Sequence, residues 1–275
     1  MTDHVNDHAA KAASFLELHE QDRPLLLANA WDLGSARLLT SLGYQALATT
    51  SSGYAATLGR LDYSLSREEA VAHAGALAAA TDAPVSADFE DCFAEDAAGV
   101  AETVRMALDV GLAGCSIEDW SAANERLYSA EDATERVAAA AQAAHAGPVH
   151  LVLTARAENY LRGNPDLDDT IARLQAYQEA GADVLYAPGL LRAEDIRAVV
   201  DSVDLPVNVL ARPGMAPVSE LAELGVKRVS VGGSFAFAGL GAVVDAANEL
   251  LNSGTYEFMD IATTGSKAAR SAFAD

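Results

Sequence analysis

One structural unit repeats along the chain: a short run rich in Val, Leu or Ile, a polar or glycine break, then a longer alanine-rich stretch with helical spacing. The apolar runs predict eight strands, at residues 25–30, 46–51, 85–90, 114–119, 149–156, 184–188, 207–211 and 228–232. Nearly continuous apolar strands that alternate with helices indicate a parallel sheet covered by helices. Eight such units in one chain favour an α/β fold of the (β/α)8 TIM barrel type.

A doubly wound open sheet is the competing architecture. Such a sheet usually carries a glycine-rich turn of the form Gly-x-Gly-x-x-Gly after its first strand. Residues 31–34 read Trp-Asp-Leu-Gly instead, which favours the barrel. No linker interrupts the pattern, so residues 1–250 are predicted to form a single barrel domain with a short N-terminal arm. Residues 251–275 are predicted to be a C-terminal tail or an extra helix.

Local signals mark the ends of several predicted helices. Ser66 and Glu69 have the spacing of a capping box, in which each side chain bonds to the other residue's backbone N–H. Ser129 opens a later helix with acidic residues after it, and Gly181 ends another.

The composition disfavours several classes of partner. The 275 residues are 51% hydrophobic with a formal net charge of −22, so binding to nucleic acid or to an anionic membrane is disfavoured. No apolar run reaches the roughly 18–20 residues that span a bilayer, and residues 1–20 lack the apolar core of a signal peptide. Two cysteines, Cys92 and Cys115, suit a reducing compartment. A cytoplasmic protein is predicted.

Polar side chains gather where the predicted strands end, which is where TIM barrels build their active sites. Asp88, Glu90 and Asp91 end the third strand, and Glu118 and Asp119 end the fourth. Asp91 and Asp119 could instead cap the helices that follow. Alternate residues of a strand face the same side, so Asp88 and Glu90 are predicted to point into the barrel mouth together. Other residues at these ends are Asp62, which lies in the loop after the second strand, Arg156, Glu158 and Asn208.

Two inward carboxylates repel each other unless protons or a cation lie between them. With Glu118 they form a set of hard oxygen ligands, which suits Mg²⁺, or Mn²⁺, better than zinc. The six histidines lie in the N-terminal arm, on helices or at the start of a strand, and are interpreted as solvent-facing or packing residues.

Two further features could bind an anion. Arg156 could clamp a substrate carboxylate through two hydrogen bonds, or could simply pair with Glu158 or Glu118. The backbone N–H groups of Gly232, Gly233 and Ser234 could bind an anion near the eighth strand, although a close helix–strand turn explains the same glycines.

Lysine usage excludes one catalytic strategy. The chain has only Lys11, Lys227 and Lys267, and Lys227 precedes the eighth strand, at the end opposite the predicted active site. A Schiff-base mechanism needs a lysine at a strand end. Carbon–carbon chemistry on a keto acid would therefore use a metal that stabilises an enolate as a Lewis acid.

Several motifs together resemble the isocitrate lyase / phosphoenolpyruvate mutase superfamily over residues 27–238. The matching segments are 29–32 with 35–37 (opening strand), Ser52-Gly53-Tyr54 (substrate-binding turn), Asp62 (next loop), 87–90 (metal motif), 117–119 (next metal-site strand), 155–156 (carboxylate-binding arginine) and Asn208 (substrate contact).

The resemblance implies a set of roles for these residues. Asp88 would bind Mg²⁺ directly, while Glu90 and Glu118 would hold metal-bound waters. Asp62, Glu118 and Arg156 are the catalytic candidates. The predicted substrate contacts are Trp31, Ser52, Gly53, Tyr54, Asp88, Arg156 and Asn208, with Gly233 and Ser234 added from the anion-binding turn. The resemblance also implies a homo-oligomer, a dimer or tetramer, with a swapped C-terminal helix.

One loop departs from the superfamily pattern. Isocitrate and methylisocitrate lyases carry a Lys-Lys/Arg-Cys-Gly-His loop after the Glu-Asp pair, whereas residues 120–128 are shorter and contain no Cys, Lys or His. The sequence therefore predicts a Mg²⁺-dependent lyase or decarboxylase, other than an isocitrate lyase, that acts on a small α-keto or α-hydroxy dicarboxylic acid through a metal-stabilised enolate. The alternatives are a carbon–phosphorus bond enzyme that acts on phosphonopyruvate or phosphoenolpyruvate, and a catalytically reduced keto-acid-binding protein.

Overall fold

The structure is a computed structural model that describes residues 2–274. In chain order its strands are β1 (Leu25–Ala30), β2 (Leu47–Thr49), β3 (Val85–Asp88), β4 (Gly114–Glu118), β5 (Trp120–Ser121), β6 (Arg126–Leu127), β7 (Val152–Arg156), β8 (Val184–Tyr186), β9 (Val207–Leu210) and β10 (Arg228–Ser230). Eight of them close into a parallel barrel in the order β1-β10-β9-β8-β7-β4-β3-β2, and β5 and β6 form a separate antiparallel hairpin.

The predicted (β/α)8 barrel is confirmed, and each predicted strand contains one barrel strand. Closure is shown by β1, which pairs with β2 on one side and with β10 on the other. Several predicted strands are longer than the observed ones, because the backbone leaves the ladder once the apolar run meets a loop. Before β7, for example, the Leu151 N–H still bonds to the Ala144 carbonyl at 3.1 Å.

The helices cover the outside of the barrel and extend beyond it. They are α1 (Thr2–Glu17), α2 (Leu33–Ser41), α3 (Ser51–Thr57), α4 (Arg67–Ala79), α5 (Ala97–Asp109), α6 (Ala130–His145), α7 (Leu167–Glu179), α8 (Ala193–Asp201), α9 (Val218–Glu223), α10 (Ser234–Asn252) and α11 (Met259–Phe273).

The predicted helix ends are confirmed. Ser66 and Glu69 form a reciprocal capping box at the start of α4. The Ser129 hydroxyl accepts the Asp132 N–H at 3.0 Å at the start of α6. Gly181 follows α7 with φ at +100°, a left-handed conformation that favours glycine.

Helix α1 packs against the N-terminal end of the barrel. Phe15 is fully buried and belongs to an apolar cluster with Leu27, Ala48 and Val152. A Cβ atom at Gly114 would lie 2.8 Å from the Phe15 ring and 2.7 Å from the Val152 carbonyl oxygen. Only a residue without a side chain allows β4 to approach so closely, so the predicted arm is a tightly packed helix.

The two C-terminal helices differ from the rest in their exposure. Helix α11 lies against α2, yet neither helix is embedded in the barrel: Ala236 is the only residue buried in α10, and α11 buries none. By length and composition α10 is long and apolar enough to cross a membrane, which corrects the expectation that no such segment exists. Leu240, Val243 and Val244 are among its exposed apolar residues.

Candidate active site

A cavity of about 320 Å³ opens at the C-terminal ends of the strands and continues into the barrel. Because parallel strands all end on this face, it collects side chains from many elements. Its polar upper wall consists of Ser51, Ser52, Asp62, Tyr63, Asp88, Glu118, Arg156, Glu158 and Arg162.

Asp88 is the last residue of β3 and lies at the centre of this wall. Its Oδ1 accepts from Nη1 of Arg156 at 2.8 Å. Its Oδ2 accepts from the backbone N–H of Ser51 at 3.2 Å and from the Ser51 hydroxyl at 3.1 Å. The start of α3 therefore fixes one carboxylate oxygen while an arginine fixes the other.

Arg156, the last residue of β7, lies among three carboxylates. Its guanidinium nitrogens are 2.8 Å from Asp88, 2.9 Å from Glu118 and 2.7 Å from Glu158. Burial acts to lower the pKa of Arg156, but these three charges raise it well above its ordinary value. The ion pairs foreseen as the alternative to substrate binding are thus present, and they hold the guanidinium at the cavity wall.

Asp62 reaches the cavity from the loop after α3. Its Oδ1 accepts from the Ser51 hydroxyl at 2.9 Å, so Ser51 lies between Asp62 and Asp88. Burial, and then the charge of Asp88, raises the pKa of Asp62. The side chain predicted as a catalytic group is therefore one that retains a proton more readily than an exposed aspartate does.

Tyr63 and Arg162 line the same wall, and the sequence interpretation missed both. The Tyr63 hydroxyl donates to Oε1 of Glu118 at 2.7 Å and also contacts the Arg162 guanidinium. Arg162 lies 3.4 Å from Glu158 and 3.6 Å from Glu118. Burial, followed by the nearby carboxylates, raises the pKa of Tyr63, so the phenol remains a hydrogen-bond donor at neutral pH. The sequence did contain a signal for Tyr63, because it directly follows Asp62, which was predicted to lie at the site.

The prediction that strand alternation directs Asp88 and Glu90 together into the mouth is wrong. Strand β3 ends at Asp88, and Glu90 has a left-handed φ of +49°. Glu90 is only 5% exposed, does not line the cavity, and its Oε1 atom has no hydrogen-bond partner among the described residues. Burial, followed by the charges of Asp88 and Asp62, raises its pKa to about 9. Glu90 thus lies outside the cavity but close enough to Asp88 and Asp62 for their charges to raise its pKa.

Asp91 and Asp119 do not cap helices, so that interpretation is also wrong. Asp96 caps α5, while Asp91 accepts from the Tyr128 hydroxyl at 3.1 Å. Asp119 is buried behind the cavity, where it accepts from the Tyr177 hydroxyl at 2.7 Å, from Arg173 at 3.0 Å and from the Glu158 N–H at 2.8 Å. It therefore fixes the backbone that carries Glu158.

The predicted serine–glycine–aromatic turn is only partly exposed to the cavity. Ser52 lines it, but Gly53, Tyr54 and Trp31 do not. Tyr54 stacks on His73 with ring centroids 3.7 Å apart. A Cβ at Gly53 would lie 2.6 Å from Thr50 and 3.1 Å from the Trp31 side chain. Gly53 and Trp31 thus pack against each other behind the wall.

Most backbone donors of the predicted anion-binding turn already have hydrogen-bond partners in the protein. Gly233 lines the cavity, but Ser234 does not. The Gly232 N–H donates to Asn29 at 2.9 Å, and the Ser234 N–H donates to the Val231 carbonyl at 3.1 Å. Two of the three backbone donors therefore have partners within the chain.

The floor of the cavity contains a buried arginine. Arg228 donates to Asn208 and to Thr154, each at 3.0 Å, and lies 3.2 Å from a ring nitrogen of His19. Among the described residues, no carboxylate lies within ion-pair distance of Arg228. Burial lowers its pKa to about 10, so it is still charged at neutral pH. Asn208, predicted to contact substrate, is fully buried and does not line the cavity; it orients Arg228 instead.

The shortened loop at residues 120–128 forms the β5–β6 hairpin beside the cavity. Its Trp120 ring lies under the Arg162 guanidinium, with Cζ 4.5 Å from the ring centroid. This contact orients an arginine of the wall. The hairpin therefore supports the site from one side, at the position where the superfamily loop carries its cysteine.

A family model for phosphoenolpyruvate phosphomutase matches residues 15–251. That span includes every strand of the barrel. The chain belongs to this family. The resemblance to the isocitrate lyase / phosphoenolpyruvate mutase superfamily is thereby confirmed.

Relatives of the chain include proteins with and without an assigned activity. An uncharacterized protein of Mycobacterium tuberculosis H37Rv is 35% identical over 85% of this chain and 87% of its own length. An oxaloacetate decarboxylase of Paraburkholderia xenovorans LB400 is 30% identical over 87% and 81%. A crystal structure from Burkholderia cenocepacia J2315, provisionally named a lyase/mutase, is 47% identical, covers 98% of both chains and has a TM-score of 0.94. These relatives support an enzyme of the lyase or mutase type.

Proposed function

We propose that the protein is a Mg²⁺-dependent lyase or decarboxylase that acts on a small α-keto dicarboxylic acid. The observation that carries the proposal is the convergence of Asp62, Asp88, Glu118 and Arg156 on one cavity at the barrel mouth. A cavity of about 320 Å³ suits a small acid. The oxaloacetate decarboxylase among the relatives supports an oxaloacetate-like substrate.

The residues present fit a divalent cation. The donors are carboxylate oxygens, which Mg²⁺ and Mn²⁺ prefer. Among the described residues the buried Oε1 of Glu90 has no hydrogen-bond partner. Burial, followed by the charges of Asp88 and Asp62, raises the pKa of Glu90, and a cation near Asp88 would offset the part that those charges contribute. Asp88 would bind the ion directly and Glu118 would hold one of its waters. Glu90 does not line the cavity, so it would reach such a water only if its side chain turned toward Asp88. When bound, the ion would supply Lewis-acid stabilisation of the negative charge that develops on the substrate's keto oxygen.

Arg156 would bind the substrate carboxylate. The surrounding acidic residues hold its guanidinium at the cavity wall. Among the described residues Nη1 donates one of its two N–H groups, to Asp88, so the other can donate to a substrate carboxylate. Ser52 lines the same space and would donate a further hydrogen bond. Together these contacts would hold the acid with its keto group toward Asp88.

Asp62 would hold and deliver the proton that the reaction needs beside the carbonyl. Its pKa is raised by burial and by Asp88, which makes it a better proton carrier near neutral pH. Tyr63 would orient Glu118 through its 2.7 Å hydrogen bond. Neither role requires the loop cysteine that residues 120–128 lack.

The deciding experiment follows pyruvate release from oxaloacetate, phosphonopyruvate and methylisocitrate, with and without Mg²⁺, against blanks without enzyme. We expect Mg²⁺-dependent release from oxaloacetate and its loss in Asp88→Ala. Asp96→Ala, which removes a carboxylate at the exposed start of α5, is the matched control and should retain activity. If Asp88→Ala keeps Mg²⁺-dependent binding and turnover, the metal site is assigned incorrectly.

Carbon–phosphorus chemistry is the second candidate. The family model that matches the chain is that of phosphoenolpyruvate phosphomutase, and members with that chemistry do not need the loop cysteine. Turnover of phosphonopyruvate alone in the same assay would favour it. Calorimetric binding of keto acids without turnover of any of them would favour a binding protein.

We also propose that the protein is a homo-oligomer, a dimer or tetramer, assembled through its C-terminal segment beyond residue 250 together with α10. Apolar side chains on these helices are exposed, including Leu251 at 81% and Ile261 at 67%. Large exposed apolar patches usually mark contact with a partner. Sedimentation of the wild type and of Val243→Asp tests this, because a charge on α10 should shift the protein toward monomers. An unchanged sedimentation coefficient would argue against assembly through α10.

A further inference from the structure

Two histidines and an aspartate meet at the end of the barrel opposite the cavity. His145 is the last residue of α6, His150 lies two residues before β7, and Asp183 directly precedes β8. Strands β7 and β8 are parallel neighbours, so the segments that enter them lie side by side. The sequence interpretation treated both histidines as solvent-facing or packing residues, and separation along the chain concealed their contact with Asp183.

Both imidazoles contact the carboxylate of Asp183, each at a different oxygen. His145 Nε2 lies 3.0 Å from Oδ2 of Asp183, and His150 Nε2 lies 2.7 Å from Oδ1. The two imidazole rings are stacked, with centroids 4.0 Å apart and planes 9° from parallel. One nitrogen from each ring and one carboxylate oxygen all lie within 4.8 Å of one another.

These separations are of the same order as those of ligands around one small cation. Donors that lie about 2.0–2.1 Å from a zinc ion at tetrahedral angles are about 3.3 Å from each other. The two nitrogen–oxygen distances of 3.0 and 2.7 Å are both shorter than that, and each involves a different oxygen of Asp183. An ion would enter between the three groups once side-chain rotations lengthen these contacts and turn the two stacked rings toward each other.

The surroundings prepare Asp183 to act as a ligand. Oδ2 also accepts the backbone N–H of Leu153 at 2.7 Å, which fixes the orientation of the carboxylate as outer hydrogen bonds do in metal sites. Burial acts to raise the pKa of Asp183, but the hydrogen bonds from His145, Leu153 and His150 together lower it below its ordinary value. The carboxylate is therefore ionised at neutral pH.

We propose that His145, His150 and Asp183 form a binding site for a transition-metal ion of the Zn²⁺ class. Two imidazoles and one carboxylate suit Zn²⁺, Co²⁺ or Ni²⁺, whereas the all-oxygen set at the mouth suits Mg²⁺. The His150 side chain is 46% exposed, so water can fill the fourth position. The ion joins the end of α6 to the starts of β7 and β8, on the barrel face where residues serve stability.

The alternative is a hydrogen-bonded tie in which Asp183 accepts from both rings and no metal is involved. The experiment separates the two. Protein stripped with EDTA is titrated with Co²⁺ in excess Mg²⁺, so that the mouth carboxylates are occupied, and Co²⁺ binding is followed by calorimetry and by its visible absorption. We expect one equivalent to bind with the intense absorption of a tetrahedral site, and Zn²⁺ to displace it and raise the melting temperature.

Variants locate the ion. His150→Asn, at an exposed position, should weaken Co²⁺ binding by about tenfold or more, since even outer-sphere changes cost 10–100-fold. His8→Asn, which removes a histidine of α1 elsewhere, is the control and should bind as the wild type does. Equal Co²⁺ affinity in the wild type and His150→Asn would overturn the proposal. So would Co²⁺ binding that Asp88→Ala abolishes, because the ion would then lie at the mouth.

Discussion

Replacing Glu90 with glutamine is expected to stabilise the metal-free protein at neutral pH. The Glu90 side chain is buried, its Oε1 atom has no partner, and Asp88 and Asp62 place negative charge nearby. Burial is the larger cause, and those charges the next, of a rise in its pKa from 4.5 to about 9. Glutamine has almost the same shape and carries no charge at any pH.

The magnitude follows from proton binding. In the unfolded chain Glu90 ionises near pH 4.5, whereas the folded chain keeps its proton up to about pH 9. The folded state therefore binds an extra proton between these values, so stability falls as the pH rises through this window. One pKa unit corresponds to about 1.4 kcal/mol, so at pH 7, about 2.5 units above the unfolded pKa, the cost is about 3 kcal/mol.

The assay is urea unfolding of the wild type and Glu90→Gln in EDTA at several pH values between those two pKa values. The difference in unfolding free energy should favour the variant and grow by about 1.4 kcal/mol per pH unit. Glu102→Gln is the matched control, because the Glu102 side chain is 55% exposed. It should change the unfolding free energy by less than about 0.5 kcal/mol at each pH.

Two results would refute the reasoning. If the curves of free energy against pH for wild type and Glu90→Gln run parallel, Glu90 does not titrate differently in the folded state. If the variant is less stable at pH 7, the folded chain gains from the ionised carboxylate, and a hydrogen bond to it must exist that the structure does not contain.

Three substitutions test other contacts. Tyr63→Phe removes a donor to a buried carboxylate and should cost about 1.5–3 kcal/mol in urea unfolding together with a lower kcat; unchanged kcat would separate Tyr63 from catalysis. Asp119→Asn removes the buried charge that pairs with Arg173, which keeps Asp169 at 2.9 Å, and should cost about 1.5–3 kcal/mol, read as a lower melting temperature; an unchanged melting temperature contradicts this. Ser66→Ala breaks a capping box and should cost about 1 kcal/mol in the same melt, and no loss would show that Glu69 alone is sufficient.

The fold was predictable because its signals are local. Each barrel strand is an apolar run and several helices begin or end at a capping residue, so periodicity and capping chemistry at Ser66, Ser129 and Gly181 placed these elements. The cavity wall was partly predictable for the same reason. Residues at strand ends, such as Asp88 and Arg156, must lie on the active face of a barrel.

The rest of the site depends on backbone turns and on packing between distant segments. The chain leaves β3 after Asp88 and adopts positive φ at Glu90, Cys92 and Phe93, and no simple period describes such a turn. Asp119 is of a residue type that commonly caps helices, but its partners Arg173 and Tyr177 lie on α7, far along the chain. Contacts of this kind are settled by the three-dimensional packing of segments more than fifty residues apart.

Arg228 gives the barrel an electrical polarity along its axis, with carboxylates at the mouth and a cation on the floor. An acid that approaches a chain of net charge −22 is repelled from outside, and salt screens that repulsion over about 8–10 Å. Inside the cavity the pull toward Arg228 is shielded from salt by the protein around it. Added salt should therefore speed the entry of a dianion, the reverse of the usual behaviour of charge-steered enzymes.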